Sequence, residues 1–234
     1  MSVQLYKKIM SIHSIPLAAI LLIGLISIVI VSTFWLGFVL WQIALLIVLV
    51  WSPLFFLKTA QLYRQYRWLA LFFILVITQG GHFVEHLTQM IQMHVLGLSG
   101  QQANGIFGML NLEWVHFIWN SWLLLFVLLL LSFFRTNPWL WVLLVVSGWH
   151  ELEHVYVMAV LLRTGHSGTP GLLAQGGALW GGLPIIRADL HFFYNLAEEA
   201  LLLLAYVSQI HWLDRENMRR DSSQNIPATP VRNS

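Results

Sequence analysis

The sequence predicts an all-α fold: a polytopic integral membrane helical bundle of about six transmembrane helices, with a tandem duplicated helical hairpin made by spans three to six. Three observations carry that expectation. Of the 234 residues, 58% are apolar and 9% charged, more apolar surface than a water-soluble fold can hide. Apolar runs of the roughly 20 residues needed to cross hydrocarbon recur along the chain. Two of those runs also carry one pattern of ionisable residues, HxxEH, at His82, Glu85 and His86 and again at His150, Glu153 and His154.

The elements follow in order. Ile15 to Leu57 holds no charged residue; as one helix it would be about 65 Å long, twice the hydrocarbon thickness, so it is expected to be two spans. The turn is expected near Ser32 to Gly37. The first run follows Lys7 and Lys8 but is too long for a signal peptide and lacks a small-residue cleavage site, which makes it an uncleaved span. Further spans are expected near Trp68–Leu96, Leu112–Phe134, Trp139–Leu162 and His191–Trp212. The whole reads as a single membrane domain over residues 1–214, divided into an N-terminal hairpin (12–67), a first metal-binding hairpin (68–134) and a second (138–213). The polar remainder, 215–234, with Pro227 and Pro230 and no apolar periodicity, is expected to be a disordered cytoplasmic tail.

Basic residues set the sidedness, because short cytoplasmic connections collect Lys and Arg. Lys7, Lys8, Lys58, Arg64, Arg67, Arg135, Arg215, Arg219 and Arg220 fall on one side of a six-span topology, and only Arg163 and Arg187 on the other. Both termini are therefore expected to be cytoplasmic, in a bacterial inner membrane. The Gly-rich stretch from Arg163 to Ala188 becomes an exoplasmic segment able to fold back as a lid. The net charge of +2 comes from these flanks and offers no basic face for nucleic acid. With no Cys, disulfides, thiolate ligands, iron–sulfur clusters and covalent haem are excluded.

The chemistry lies in the repeated polar residues. Each HxxEH is echoed by a second segment, His116–Asn120 after the first and His191–Asn195 after the second, both reading His-x-x-x-Asn. Positions i, i+3 and i+4 share a helix face, so His82, Glu85 and His86 point one way, as do His150, Glu153 and His154. Glu113 and His116 form another i, i+3 pair, and His191, Asn195 and Glu198 line a stripe on the last span. At 1.5 Å per residue, His82 and His86 lie about 21 and 27 Å above Trp68, and His150 and His154 about 17 and 23 Å up the fifth span. The descending fourth and sixth spans bring His116, His191 and Glu198 to the same layer, in the outer half of the membrane. Both copies cross in the same sense, so a pseudo-two-fold axis along the membrane normal should relate them.

Ionisable side chains in hydrocarbon cost about 2 to 3 kcal/mol each on insertion scales, and such groups need a compensating partner. Nitrogen and oxygen donors in this number suit two transition-metal ions. The expected ligands are His82, Glu85, His86, Glu113, His116, His150, Glu153, His154, His191 and Glu198, with Glu85 and Glu153 as bridges and Asn120 and Asn195 hydrogen-bonded behind the ligands. This donor set resembles, in chemistry alone, the inward-facing Glu and His of helical di-iron carboxylate bundles, enriched in His as in membrane desaturases and hydroxylases. The resemblance implies iron and an oxidoreductase or oxygenase acting on a lipid-like or quinone-like substrate, with an electron donor as partner. The spacing matches neither desaturase His boxes nor paired ExxH motifs.

Other readings compete. His150-Glu151-Leu152-Glu153-His154 also spells HExxH, in which two His bind zinc and the Glu activates water. Glu151 would then be catalytic, with Glu198 a second candidate, although the first copy has Phe83 where that Glu should stand. A clamped haem is poorly matched, because His at i and i+4 cannot both be axial ligands of one iron. A metal-free network of His and Glu, a metal transporter and an accessory membrane subunit also fit an intramembrane polar cluster. His13, His94, His166 and His211 lie apart from the motifs and are expected to be interfacial.

Overall fold

The structure, a computed structural model, describes residues 17–108 and 112–224, with side chains through Glu216. Lys7, Lys8, His13, Pro227 and Pro230 lie outside the described residues. The fold is all-α, and no strand occurs among the described residues. Six long helices follow one another: α1 (Leu17–Ser32), α2 (Leu40–Gln65), α3 (Arg67–Met90), α4 (Glu113–Phe133), α5 (Pro138–Thr164) and α6 (Arg187–Gln224).

The uncharged N-terminal run breaks where expected. Ser32 and Thr33 turn their hydroxyls back onto the carbonyls of Val29 and Ile30, a 3-10 turn spans Thr33–Leu36, and Gly37 sits at φ +87° with its N–H on Phe34 O. That left-handed conformation is open to glycine and strained for most other residues. α3 passes through a π-helical turn at Ile91–Val95. α5 starts on Asn137, whose side chain accepts from Trp139 N, with Pro138 at the first helical position. It ends at Gly165 in a left-handed cap.

One boundary departs from expectation. α6 runs from Arg187 to Gln224, four residues earlier than predicted and well into the stretch expected to be a disordered tail. An established helix extends without paying for a new nucleus.

Among the described residues, five helices are long and apolar enough to cross a membrane: Leu17–Leu36, Leu40–Gln65, Arg67–Val95, Glu113–Phe133 and Arg187–Glu216. α5 has 27 residues, about 40 Å by its rise, but carries Glu151, Glu153 and Arg163. Within α1 Ile30 is the only buried residue. Leu17, Leu25 and Ile28 are each more than 60% exposed, consistent with a helix that crosses a membrane.

α3, α4, α5 and α6 pack on one another as a bundle, α2 lies against α3, and α1 lies against α2. The bundle is divided along its length. One end is a dry apolar core built from Leu69, Phe72 and Leu75 of α3, Leu123, Val127 and Leu130 of α4, Leu140 and Leu143 of α5, and Leu202, Ala205 and Ile210 of α6, all at most 1% exposed. The other end collects the polar residues. Alternating helix directions bring the second half of α3 and α5 beside the first half of α4 and α6, where the repeated motifs lie.

Candidate metal centre

His82, Glu85 and His86 on α3, Glu113, His116 and Asn120 on α4, His150, Glu153 and His154 on α5, and Asn195 and Glu198 on α6 are all buried, and His191 is partly so. Six imidazoles from four helices meet. On one side His86 Nε2 lies 3.3 Å from His82 Nε2 and 3.2 Å from His116 Nε2. On the other, His150 Nε2 lies 3.1 Å from His154 Nε2 and 2.9 Å from His191 Nδ1. His82, His86, His116 and His191 offer ligand atoms all within 4.8 Å of one another, and so do His150, His154 and His191.

Hydrogen bonding does not account for this convergence. An imidazole nitrogen has a single in-plane site, holding either one proton or one lone pair, yet His86 Nε2 and His150 Nε2 each face two other ring nitrogens. Their far sides fix which they hold. His86 Nδ1 is 3.3 Å from Gln89 Oε1, and that amide is oriented by donating from its nitrogen to Ala103 O. His150 Nδ1 is 3.0 Å from Glu198 Oε1. Both Nδ1 atoms therefore donate to oxygen, which leaves both central Nε2 atoms as bare lone pairs facing further nitrogens. A cation satisfies such a set. Two nitrogens each about 2.0–2.1 Å from one ion, at angles between square and tetrahedral, lie about 2.8–3.4 Å apart, and the four separations fall in that interval.

The carboxylates expected to bridge do other work. Glu85 accepts the backbone N–H of Ile106 and Phe107 at 2.9 and 3.2 Å; Glu153 accepts those of Leu172 and Leu173 at 2.7 and 3.0 Å. Each thus latches the loop that follows its helix. The loops come so close that a Cβ at Gly105 would overlap the Glu85 carboxylate and one at Gly171 that of Glu153; the two glycines have φ of +71° and +83°. Glu113 is held by both terminal nitrogens of Arg187, at 2.7 and 2.5 Å, and by Gly168 N at 3.4 Å. Glu151 takes the Ser121 hydroxyl at 2.6 Å, on the side of α5 that faces α4. Neither imidazole group includes a carboxylate oxygen among the described residues.

Asn120 and Asn195 act alike, each donating its side-chain amide at 2.9 Å to the carbonyl of the His four residues before it, His116 and His191. They brace the helix behind a ligand and leave the ring itself alone. Gln79, absent from the expected set, ties the halves together: its nitrogen lies 3.2 Å from Asn195 Oδ1 and 3.3 Å from Glu198 Oε2, and its oxygen accepts from Trp119 Nε1 at 3.0 Å. Trp119 in turn stacks on His82, 5.0 Å between ring centres. A polar residue three positions before His82, on the same face of an apolar span, was the available signal. His94 pairs with Asp189 at 2.7 Å on the exposed surface. His94, His166 and His211 belong to neither group.

A cavity of about 20 Å³ opens beside His154 and His191, bounded by Glu153, Arg187, Leu190 and Tyr194. It admits one or two water-sized molecules, since one needs about 10–15 Å³. Lipid does not fit. Comparison with protein-family models, curated proteins and solved structures finds no match for this chain.

Proposed function

We propose that this chain is a membrane-embedded, non-haem dinuclear metal oxidoreductase, with one ion held by His82, His86 and His116 and the other by His150, His154 and His191. The reading is supported above all by the two central imidazole nitrogens, each a lone pair aimed at two further ring nitrogens. Nitrogen-only sets of this kind suit copper, iron or zinc rather than manganese or magnesium. The carboxylates that made iron the expectation are engaged elsewhere, so copper stands beside it. A redox-active pair bound there supplies electron transfer to a small ligand such as dioxygen.

The chain's own part is to position and insulate. Gln89 and Glu198 fix the rotation and proton of His86 and His150. Asn120 and Asn195 steady the backbone under His116 and His191, and the latched loops cap the site against solvent. The echoes between the halves, down to the paired latches and paired Asn, favour a duplicated hairpin related by a two-fold along the membrane normal. In this reading the protein forms a single domain in a bacterial inner membrane with both termini cytoplasmic, the centre lies in the outer half, and a lipid-like or quinone-like molecule exchanges electrons with it from the bilayer. The zinc-hydrolase reading gains no support, because Glu151 faces Ser121 and takes no part in either imidazole group.

Elemental analysis of the purified protein tests this. About two copper or iron ions per chain are expected, with His82→Ala and His150→Ala each losing one. A chain that retains no transition metal, yet is as stable as one offered metal in excess, overturns the proposal.

A further inference from the structure

Resting on that dinuclear reading, we infer that His191 is a bridging ligand, one ring nitrogen on each ion, and that it makes the two ions unequal.

Among the described residues, His191 alone belongs to both groups of converging nitrogens. Its Nδ1 faces the second group, 2.9 Å from His150 Nε2. Its Nε2, on the far side of the ring, is out of contact with solvent and has no hydrogen-bond partner among the described residues. A buried ring nitrogen without a partner costs free energy unless something else takes it up. The ring stands among four other imidazoles, with centres 4.5 Å from His86, 4.8 Å from His116, 4.7 Å from His150 and 5.0 Å from His154, and meets all four edge-on, at 65–85°. At such angles the ring can turn its two in-plane nitrogens, one facing the second group and one unpartnered, between its neighbours. Asn195, bonded to the His191 carbonyl, fixes the backbone that carries it. Glu85 and Glu153 are engaged with their loops, and neither imidazole group includes a carboxylate oxygen among the described residues. The ring binds as imidazolate, its one N–H proton passing to water as the second ion enters.

The bridge brings the first ion to four nitrogens, from His82, His86, His116 and His191. The second has three, from His150, His154 and His191. A four-nitrogen set is closed, whereas a three-nitrogen set keeps a position open for a small ligand, and the cavity lies beside the second set, at His154 and His191. The second ion is therefore the one that meets the substrate, and the first exchanges electrons with it through the shared ring.

The test uses the full-length protein in detergent, stripped of metal and loaded with Cu(II) as a magnetic probe. Two Cu(II) per chain with a paramagnetic resonance signal integrating to well under half of the two spins is expected, because a shared imidazolate couples them. In His191→Ala the second set keeps only two nitrogens and loses its copper, so the signal rises to one full spin per bound copper, and added imidazole restores both the second copper and the coupling. Two fully independent spins in the unsubstituted chain, or coupling that persists in His191→Ala, overturns the bridge and leaves the dinuclear reading standing. Binding of one Cu(II) or none by the unsubstituted chain overturns both. The unsubstituted spin count decides even if the variant does not fold.

Discussion

Glu153→Gln separates a ligand from a latch. In the structure this carboxylate holds the amides of Leu172 and Leu173 and touches no imidazole nitrogen within the metal groups. Glutamine keeps one oxygen and so one of the two bonds; the other is replaced by an NH2 facing an N–H. Hydrogen bonds to a charged group contribute about 1.5–3 kcal/mol each, so opening of the 165–186 segment should become about 10- to 150-fold more favourable. Hydrogen–deuterium exchange of that segment, measured with elemental analysis of the same preparation, reads both quantities. Exchange should quicken by that factor while metal content stays unchanged. Glu85→Gln should do the same to the segment around Ile106 and Phe107, whose amides it holds. Loss of an ion from Glu153→Gln with the segment's exchange unaltered would refute the latch and restore the carboxylate as a ligand.

Other perturbations follow from the same contacts. Arg187→Met leaves Glu113 buried without its cation and should destabilise the protein by about 3 kcal/mol, the lower part of the range for a broken buried pair because the guanidinium is partly exposed; adding Glu113→Gln should recover most of the loss in thermal unfolding. Asn137→Ala removes the cap of α5 and the bond to Ala205 O, and should cost about 2 kcal/mol in the same assay with metal content intact. Gln79→Leu strips partners from Glu198 and Trp119, so metal affinity should fall about 10- to 100-fold, as for other groups behind the ligands, without loss of either ion at saturation.

The sequence made the helices and the meeting of the histidines legible for one physical reason, periodicity. Apolar runs of membrane length place the helices, and i, i+4 spacing forces His82 with His86, and His150 with His154, onto one face. Alternating direction then levels the four spans. The carboxylates were not legible. Spacing puts Glu85 and Glu153 on the same face as the histidines, but their oxygens are claimed by amides of loops whose path no helical pattern encodes. Gly105 and Gly171 hinted at that close approach only in retrospect. Gln79 was hidden because a neutral polar residue barely disturbs an apolar run, and the continuation of α6 past Asp214 because polar composition alone resembles a tail.

The apolar half of the bundle has a consequence for traffic. Between Leu69 and Val76 α3 rises about 10 Å through packed apolar side chains, and the facing stretches of α4, α5 and α6 add mostly apolar side chains, with Tyr206 among them. That layer insulates the imidazoles from the end of the bundle where Asn137 and Gln209 lie. If the imidazoles hold the proposed metal pair, water-sized molecules and protons reach it by way of the capped end, where the small cavity opens beside Arg187 and Pro170, and a seal there would matter more than a blockage at the opposite pole.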